Sequence, residues 1–261
     1  MKPHISTPEI RESDLQRFGY VHLDLKECQA VALDWAASAV AIALHSGTLH
    51  EWAARQPLKE EMSGRGVIYS VDLPTSSATP VVVRRNRHGG LLRGLTGEYF
   101  LTPTRAPLEL TTSLRLAVAG IRTPEVVAYA TYPAVGIFAR SDIMTRRLPD
   151  GDDFPAAWKM AAKTDRELML AAVAGLLKSL ADAGAWHADL NLKNIYIAGV
   201  GTDQTAYLLD VDQVTFPEGR DIADRNFKRL ARSARKWHER WGLDFDEDSL
   251  AHLAALAEVK K

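Results

Sequence analysis

Eight residues constrain this chain more than any others: His187-Ala188-Asp189-Leu190-Asn191-Leu192-Lys193-Asn194. They follow a segment of helical periodicity and precede Ile195-Tyr196-Ile197, which reads as a short strand. Asp210 comes sixteen residues after Asn194, inside Leu208-Leu209-Asp210-Val211-Asp212, an apolar run that ends in carboxylates. A polar loop between helix and strand, with a second strand ending in acid, presents side chains from a rigid support. H-x-D alone is common by chance. H-x-D-L-x-x-x-N in this setting, followed by apolar-apolar-Asp, is much rarer. The competing reading is a polar surface turn, and His187 is expected to brace the loop rather than to react.

A chain of 261 residues with near-average composition suits one large domain or two lobes. Its net charge of −1 points to no partner by bulk charge. The single cysteine, Cys28, excludes an internal disulfide framework and a cysteine-based zinc cluster, and a reducing cytoplasm fits. Met1-Lys2-Pro3-His4 lacks the apolar core of a secretory signal. The longest apolar region, Ala30 to Leu44, is interrupted by Asp34 and is too short to span a bilayer. Any membrane contact is therefore expected to be peripheral.

The first 62 residues mix short pieces, with Ala30–Leu44 expected as a buried helix. Ser63-Gly64-Arg65-Gly66-Val67 suits a phosphate loop, since Gly64 and Gly66 let backbone N–H groups approach phosphate oxygens. A plain turn is the alternative. Val81-Val82-Val83 reads as a buried strand running into Arg84-Arg85-Asn86-Arg87-His88-Gly89-Gly90. That basic turn is either solvated or an anion site, because guanidinium groups bind phosphate and carboxylate bidentately. A helix is expected from Thr104 to Ala119, and Glu109 on it either pairs with the strand arginine or favours the helix dipole. Pro124–Tyr129 and Val135–Ala139 read as strands separated by a turn at Tyr132-Pro133, and Arg140–Asp153 as a polar linker.

Thr164-Asp165-Arg166-Glu167 has the form of a capping box, followed by a helix that Gly184 stops. Arg225 to Trp241 has helical rhythm, with Phe227, Leu230, Ala231, Ala234, Trp237 and Trp241 on one side and a basic face opposite. Such a helix either packs against the core with a solvated basic face or lies on an anionic surface. No nucleic-acid motif interleaves with these basic residues, so a nucleic-acid partner is not expected.

Read as chemistry, an aspartate, an asparagine five positions on and a second aspartate after the next strand are the metal-and-base set of a protein-kinase-like phosphotransferase. Asp189 suits the proton of an acceptor hydroxyl, while Asn194 and Asp210 suit Mg²⁺ held against the phosphates of ATP. The expected fold is α+β and two-lobed: a β-rich N-lobe over residues 1–140, a hinge over 141–152, and a short helical C-lobe over 153–261. Residues 211–261 carry no Ala-Pro-Glu signature and little length for a peptide-docking platform, so the acceptor should be small.

With these motifs placed, the chain resembles the lipopolysaccharide core kinases, above all those acting on 3-deoxy-D-manno-octulosonic acid (Kdo). The resemblance rests on Val82–Leu91, Thr104-Arg105 with Glu109, His187–Asn191, Leu209–Asp212 and Asn226-Phe227-Lys228-Arg229-Leu230-Ala231-Arg232-Ser233. It implies ATP-dependent, magnesium-assisted phosphorylation of Kdo on a lipid A precursor, at the cytoplasmic face of the inner membrane. Carried over by motif position, Asp189 is the base, Asn194 and Asp210 the metal ligands, Arg84 the phosphate-pairing cation and Glu109 its partner. The expected partner is thus an anionic glycolipid or sugar acid. A kinase for heptose or another small hydroxylated molecule, and a kinase-shaped pseudoenzyme, remain alternatives; arginine in place of the strand lysine favours the last, and the retained acids oppose it.

Overall fold

The computed structural model describes residues 9–63, 66–86, 100–101, 104–134, 136–218 and 221–259. They fall into two compact units. One holds Ile10–Ser113 and Glu125–Arg147, and the other holds Leu114–Pro124 and the chain from Leu148 onward. The fold class is α+β.

The first unit contains strands β1 (Tyr20–Leu25), β2 (Cys28–Leu33), β3 (Glu60–Ser63), β4 (Val67–Leu73), β5 (Thr79–Arg85), β6 (Phe100–Leu101), β7 (Val126–Pro133) and β8 (Phe138–Arg146). Helices α1 (Ala37–His45) and α2 (Leu49–Ala54) lie between β2 and β3, and α3 (Arg105–Val118) follows β6. Among the described residues the strands form one antiparallel sheet in the order β1-β2-β7-β8-β5-β4-β3, with β6 on β8.

Strand β7 is central, flanked by β2 and β8, so Val126 to Ala130 are all buried and no alternation survives. Strand β5 keeps the period of two: Val81 and Val83 are wholly buried, while Val82 and Arg84 take the opposite face. Arg85 lies on the side of Val83, where its Nε stands 3.4 Å from Oδ1 of the buried Asp142. Asp142 Oδ2 also accepts the His50 amide at 2.9 Å. Burial pushes the Asp142 carboxyl up, while the His50 amide and the Arg85 charge oppose it.

Three local expectations differ from the structure. Ala30–Leu33 belongs to β2, and the helix begins only at Ala37. An apolar run paired on both edges is buried all round, a pattern that strand and helix share. Tyr132-Pro133 is the end of β7, not a turn, and the Tyr132 hydroxyl accepts the Leu49 amide at 2.8 Å. The polar stretch from Arg140 is strand β8 as far as Arg146.

The second unit contains β9 (Gly151–Asp153), α4 (Phe154–Met160), α5 (Lys163–Asp182), β10 (Trp186–His187), β11 (Ile195–Ala198), β12 (Thr205–Leu208), β13 (Val214–Thr215), α6 (Ile222–Trp241) and α7 (Glu247–Leu256). Its core gathers Met169, Val173, Leu176 and Leu180 of α5 with Leu190, Ile195, Leu230 and Ala234. Each large side chain fully buried there contributes about 1.5–3 kcal/mol. Phe154, Trp158 and Phe245 close one end, with Phe245 edge-on to both rings at 5.2 and 4.9 Å.

Helix α5 starts one residue before Thr164, with Ala162 at its cap and no side-chain capping bond, so the expected capping box does not form. The helix does end before Gly184, whose φ of 66° provides the left-handed turn. Strand β12 stops at Leu208, so Asp210 is outside the strand expected to carry it.

Candidate active site

The 187–194 loop lies between β10 and β11, which belong to separate small sheets: β10 pairs β13, and β11 lies between β12 and β9. His187 is wholly buried beneath the loop. Its Nδ1 accepts the Asp189 N–H at 3.2 Å, so Nε2 carries the proton and donates to the Leu209 carbonyl at 3.3 Å. Burial pushes the imidazole below its ordinary range; the Leu209 carbonyl and the carboxylates of Asp210, Asp189 and Asp212 pull the other way. A neutral histidine therefore ties the backbone of Asp189 to the residue before Asp210.

Asn194 closes the same knot. Its Nδ2 donates to the Asp189 carbonyl at 2.9 Å, and its own carbonyl accepts the Leu209 N–H at 2.8 Å. The loop is further pinned by Ala188 N–H on the Gln213 carbonyl at 3.0 Å. Asp189 and Asn194 of one loop are thus tied to Leu209, the residue before Asp210, which comes from a separate place in the chain.

Asp210 has φ 58° and ψ 46°, the left-handed region, where a β-carbon costs about 1–2 kcal/mol. Aspartate tolerates it better than most residues, and the turn Val211–Gln213 follows directly. The kink turns the chain out of the β12 direction at the acid. Strain at such a point marks a site whose geometry is imposed by its surroundings.

As metal ligands, one carboxylate and one amide oxygen are hard donors that suit Mg²⁺, which takes few protein ligands and completes its shell with water and phosphate. Among the described residues no group of three or more His, Cys, Asp or Glu side chains is placed to hold a metal without such help. The donor set therefore fits magnesium with a nucleotide and not a self-contained protein cage.

In the other unit, Arg84 is held on two sides. Its Nη1 donates to Asn86 Oδ1 at 3.0 Å, and its Nη2 pairs with Glu109 Oε1 of α3. The Glu109 side chain is 6% exposed and that of Arg84 is 29% exposed, so the cation keeps an outward side. Asn86 is itself locked to β8 by its amide on the Ser141 carbonyl at 2.9 Å. Gly66 sits in the connection from β3 to β4, where Ser63 faces Val67, and Ile68 two residues on faces Arg84 across the sheet. Gly64 lies outside the described residues.

The run Asn226–Ser233 carries part of the family resemblance, but the sequence did not show that three of its residues grip the 187–194 loop. Asn226 is wholly buried, accepting the His187 N–H at 3.1 Å and donating to the Ala185 carbonyl at 2.8 Å. Ser233 accepts the Leu192 N–H at 3.2 Å, and Arg229 pairs with Asp189 Oδ1. The available signal was an asparagine and a serine on the apolar side of an amphipathic helix.

The model of the lipopolysaccharide kinase (Kdo/WaaP) family matches residues 50–247. The chain belongs to this family. This lipopolysaccharide kinase is 26% identical, over 78% of its length and 86% of the relative's, to a 3-deoxy-D-manno-octulosonic acid kinase of Haemophilus influenzae (strain PittGG). It is 28% identical, over 71% and 76%, to the enzyme of that name from Vibrio parahaemolyticus, and 25% identical, over 80% and 85%, to that of Photobacterium damsela. A solved structure of WaaP in complex with acyl carrier protein superposes with a TM-score of 0.50, covering 81% of the kinase and 86% of that chain at 14% identity. That likeness is one of fold. The family membership makes the kinase a phosphotransferase with a sugar hydroxyl as acceptor in lipopolysaccharide core synthesis.

Proposed function

We propose that the kinase transfers the γ-phosphoryl group of ATP to a hydroxyl of Kdo carried on a lipid A precursor. The observation that carries this reading is the knot of Asp189, Asn194 and Leu209-Asp210 around the neutral His187, in a chain whose relatives are named as Kdo kinases.

In this reading Asp189 aligns the acceptor hydroxyl and takes its proton. The acceptor oxygen forms its bond to the γ-phosphorus as the bond to the bridging oxygen breaks, and ADP leaves with that electron pair. Such a transition state spreads charge over the phosphoryl oxygens, so positioning and charge neutralisation do most of the work. Asn194 Oδ1 and the Asp210 carboxylate hold Mg²⁺, which when bound offsets charge on the phosphates. Arg84, oriented by Glu109 and Asn86, is the cation offered to nucleotide phosphates, and Gly66 leads into the strand that pairs with it.

Arginine replaces lysine at the strand position without loss of the ion pair, which supports activity over a pseudoenzyme. Peripheral contact with the cytoplasmic face of the inner membrane fits helix α6: Arg232, Lys236 and Arg240 are exposed along it, beside the adjoining rings of Trp237 and Trp241. Among the described residues no helix is long and apolar enough to cross a membrane.

The test is mass spectrometry of Kdo-bearing lipid A precursor incubated with the kinase, ATP and Mg²⁺. Gain of one phosphate on the Kdo residue is expected. An unchanged Kdo residue alongside phosphorylation of a heptose-bearing acceptor would overturn the assignment.

A further inference from the structure

Asn226, Arg229 and Ser233 follow one another at intervals of three and four, which places them on one side of α6. All three reach the loop that carries Asp189, but they do different things. Asn226 and Ser233 bind loop backbone, at His187, Ala185 and Leu192. Arg229 touches the acid itself: its Nε donates to the Ala188 carbonyl at 3.2 Å, and its Nη2 pairs with Asp189 Oδ1.

We propose that Arg229 is the positioning residue of Asp189, a role that rests on the reading of Asp189 as the base. The terminal torsion of an aspartate is broad and roughly two-fold, so the loop backbone alone does not decide where its oxygens stand. A guanidinium is a rigid planar fork. Anchored through Nε on the carbonyl next in chain, Arg229 holds Oδ1 at one place and thereby fixes Oδ2. Among the described residues no hydrogen bond reaches Oδ2. That oxygen is the one left for the acceptor hydroxyl, whose proton it takes as the new O–P bond forms and ADP departs. Arg229 makes and breaks no bond in this step. The Arg229 side chain is 29% exposed and that of Asp189 37% exposed, so the pair is open to an incoming acceptor.

Displacement of a reacting group by about 1 Å costs roughly 100-fold in rate. Loss of Arg229 should therefore appear in kcat, because nucleotide is held elsewhere. The experiment compares Arg229→Ala, Arg229→Lys, Asp189→Ala and the control Lys228→Ala, an exposed neighbour on α6 paired with Asp224. Steady-state kinetics are measured on whichever of Kdo-bearing or heptose-bearing lipid A precursor the wild-type chain phosphorylates. Arg229→Ala is expected to lower kcat about 100-fold while KM for ATP stays within about twofold. Arg229→Lys, or guanidinium added to the alanine variant, is expected to recover part of the loss, and Lys228→Ala to match the wild type.

Wild-type kcat in Arg229→Ala with an inactive Asp189→Ala would overturn the positioning role and leave the base assignment standing. Full turnover in Asp189→Ala would sink the base assignment and the positioning role together. If Arg229→Ala lowers Tm and raises KM as much as it lowers kcat, and neither lysine nor guanidinium restores turnover, Arg229 only supports the fold and the role is refuted.

Discussion

His187 accepts the backbone N–H of Asp189 on Nδ1 at 3.2 Å, and can do so only as a neutral ring. Burial keeps it neutral, so the unfolded chain takes up a proton near pH 6.5 that the folded chain refuses. The unfolded state then binds more protons, and stability rises with pH. The stabilisation is complete above the unfolded value of about 6.5 and is lost as pH falls toward the depressed folded value. Chemical denaturation between pH 7.5 and 5 should show this slope, at most about 1.4 kcal/mol per pH unit from this group. In His187→Gln the slope should be shallower; identical slopes would count against a neutral buried ring.

Asp189→Ala should lower kcat by about 100-fold or more while leaving nucleotide affinity nearly unchanged, since its task is the acceptor proton. Near-normal turnover removes it from the role of base. Asp210→Ala should abolish the magnesium-dependent part of ATP binding; undiminished affinity in a calorimetric titration would argue that the metal sits elsewhere.

The Arg84–Glu109 pair predicts a different kinetic signature. Glu109→Gln keeps the shape but removes the charge that orients the guanidinium. KM for ATP should rise by roughly tenfold, with a smaller change in kcat, because one charge-assisted bond of about 1.5–3 kcal/mol is weakened. A KM equal to that of the wild type would show that Arg84 does not meet the nucleotide.

Phe245 is wholly buried edge-on to Phe154 and Trp158, whose indole N–H is bonded to the Asp244 carbonyl. Phe245→Ala should destabilise the second unit by about 3–5 kcal/mol in urea denaturation. A cost below about 1 kcal/mol would mean that this end of the core collapses around the gap.

Much of the site was legible because its spacing is set by local geometry. The helix that Gly184 ends, the strand from Ile195, and the polar residues between them can be joined in few ways, and the structure closes them into one knot. Arg84 and Glu109 were harder, since only their order among the other motifs suggested that they meet. Two of the misreadings have a common cause. Ala30–Leu33 and Tyr132-Pro133 are governed by neighbours far away in the chain: β7, which covers the second edge of β2, and the Leu49 amide. No local pattern records such partners. Thr164 has the right neighbours for a cap, but the backbone turns helical one residue earlier. The left-handed conformation of Asp210, next to the Leu209 carbonyl that His187 holds, has no signature in the residues beside it.

One consequence concerns how helix α6 can vary. Each added residue turns everything beyond it by about 100°. A single insertion between Asn226 and Ser233 would swing one end of the grip off the loop, in addition to turning the apolar positions beyond it. Length changes ahead of Asn226 or past Ser233 leave the three gripping residues in register with one another. Viable insertions and deletions in this helix should therefore cluster at its two ends, leaving a central stretch of invariant length that hydropathy alone would never single out.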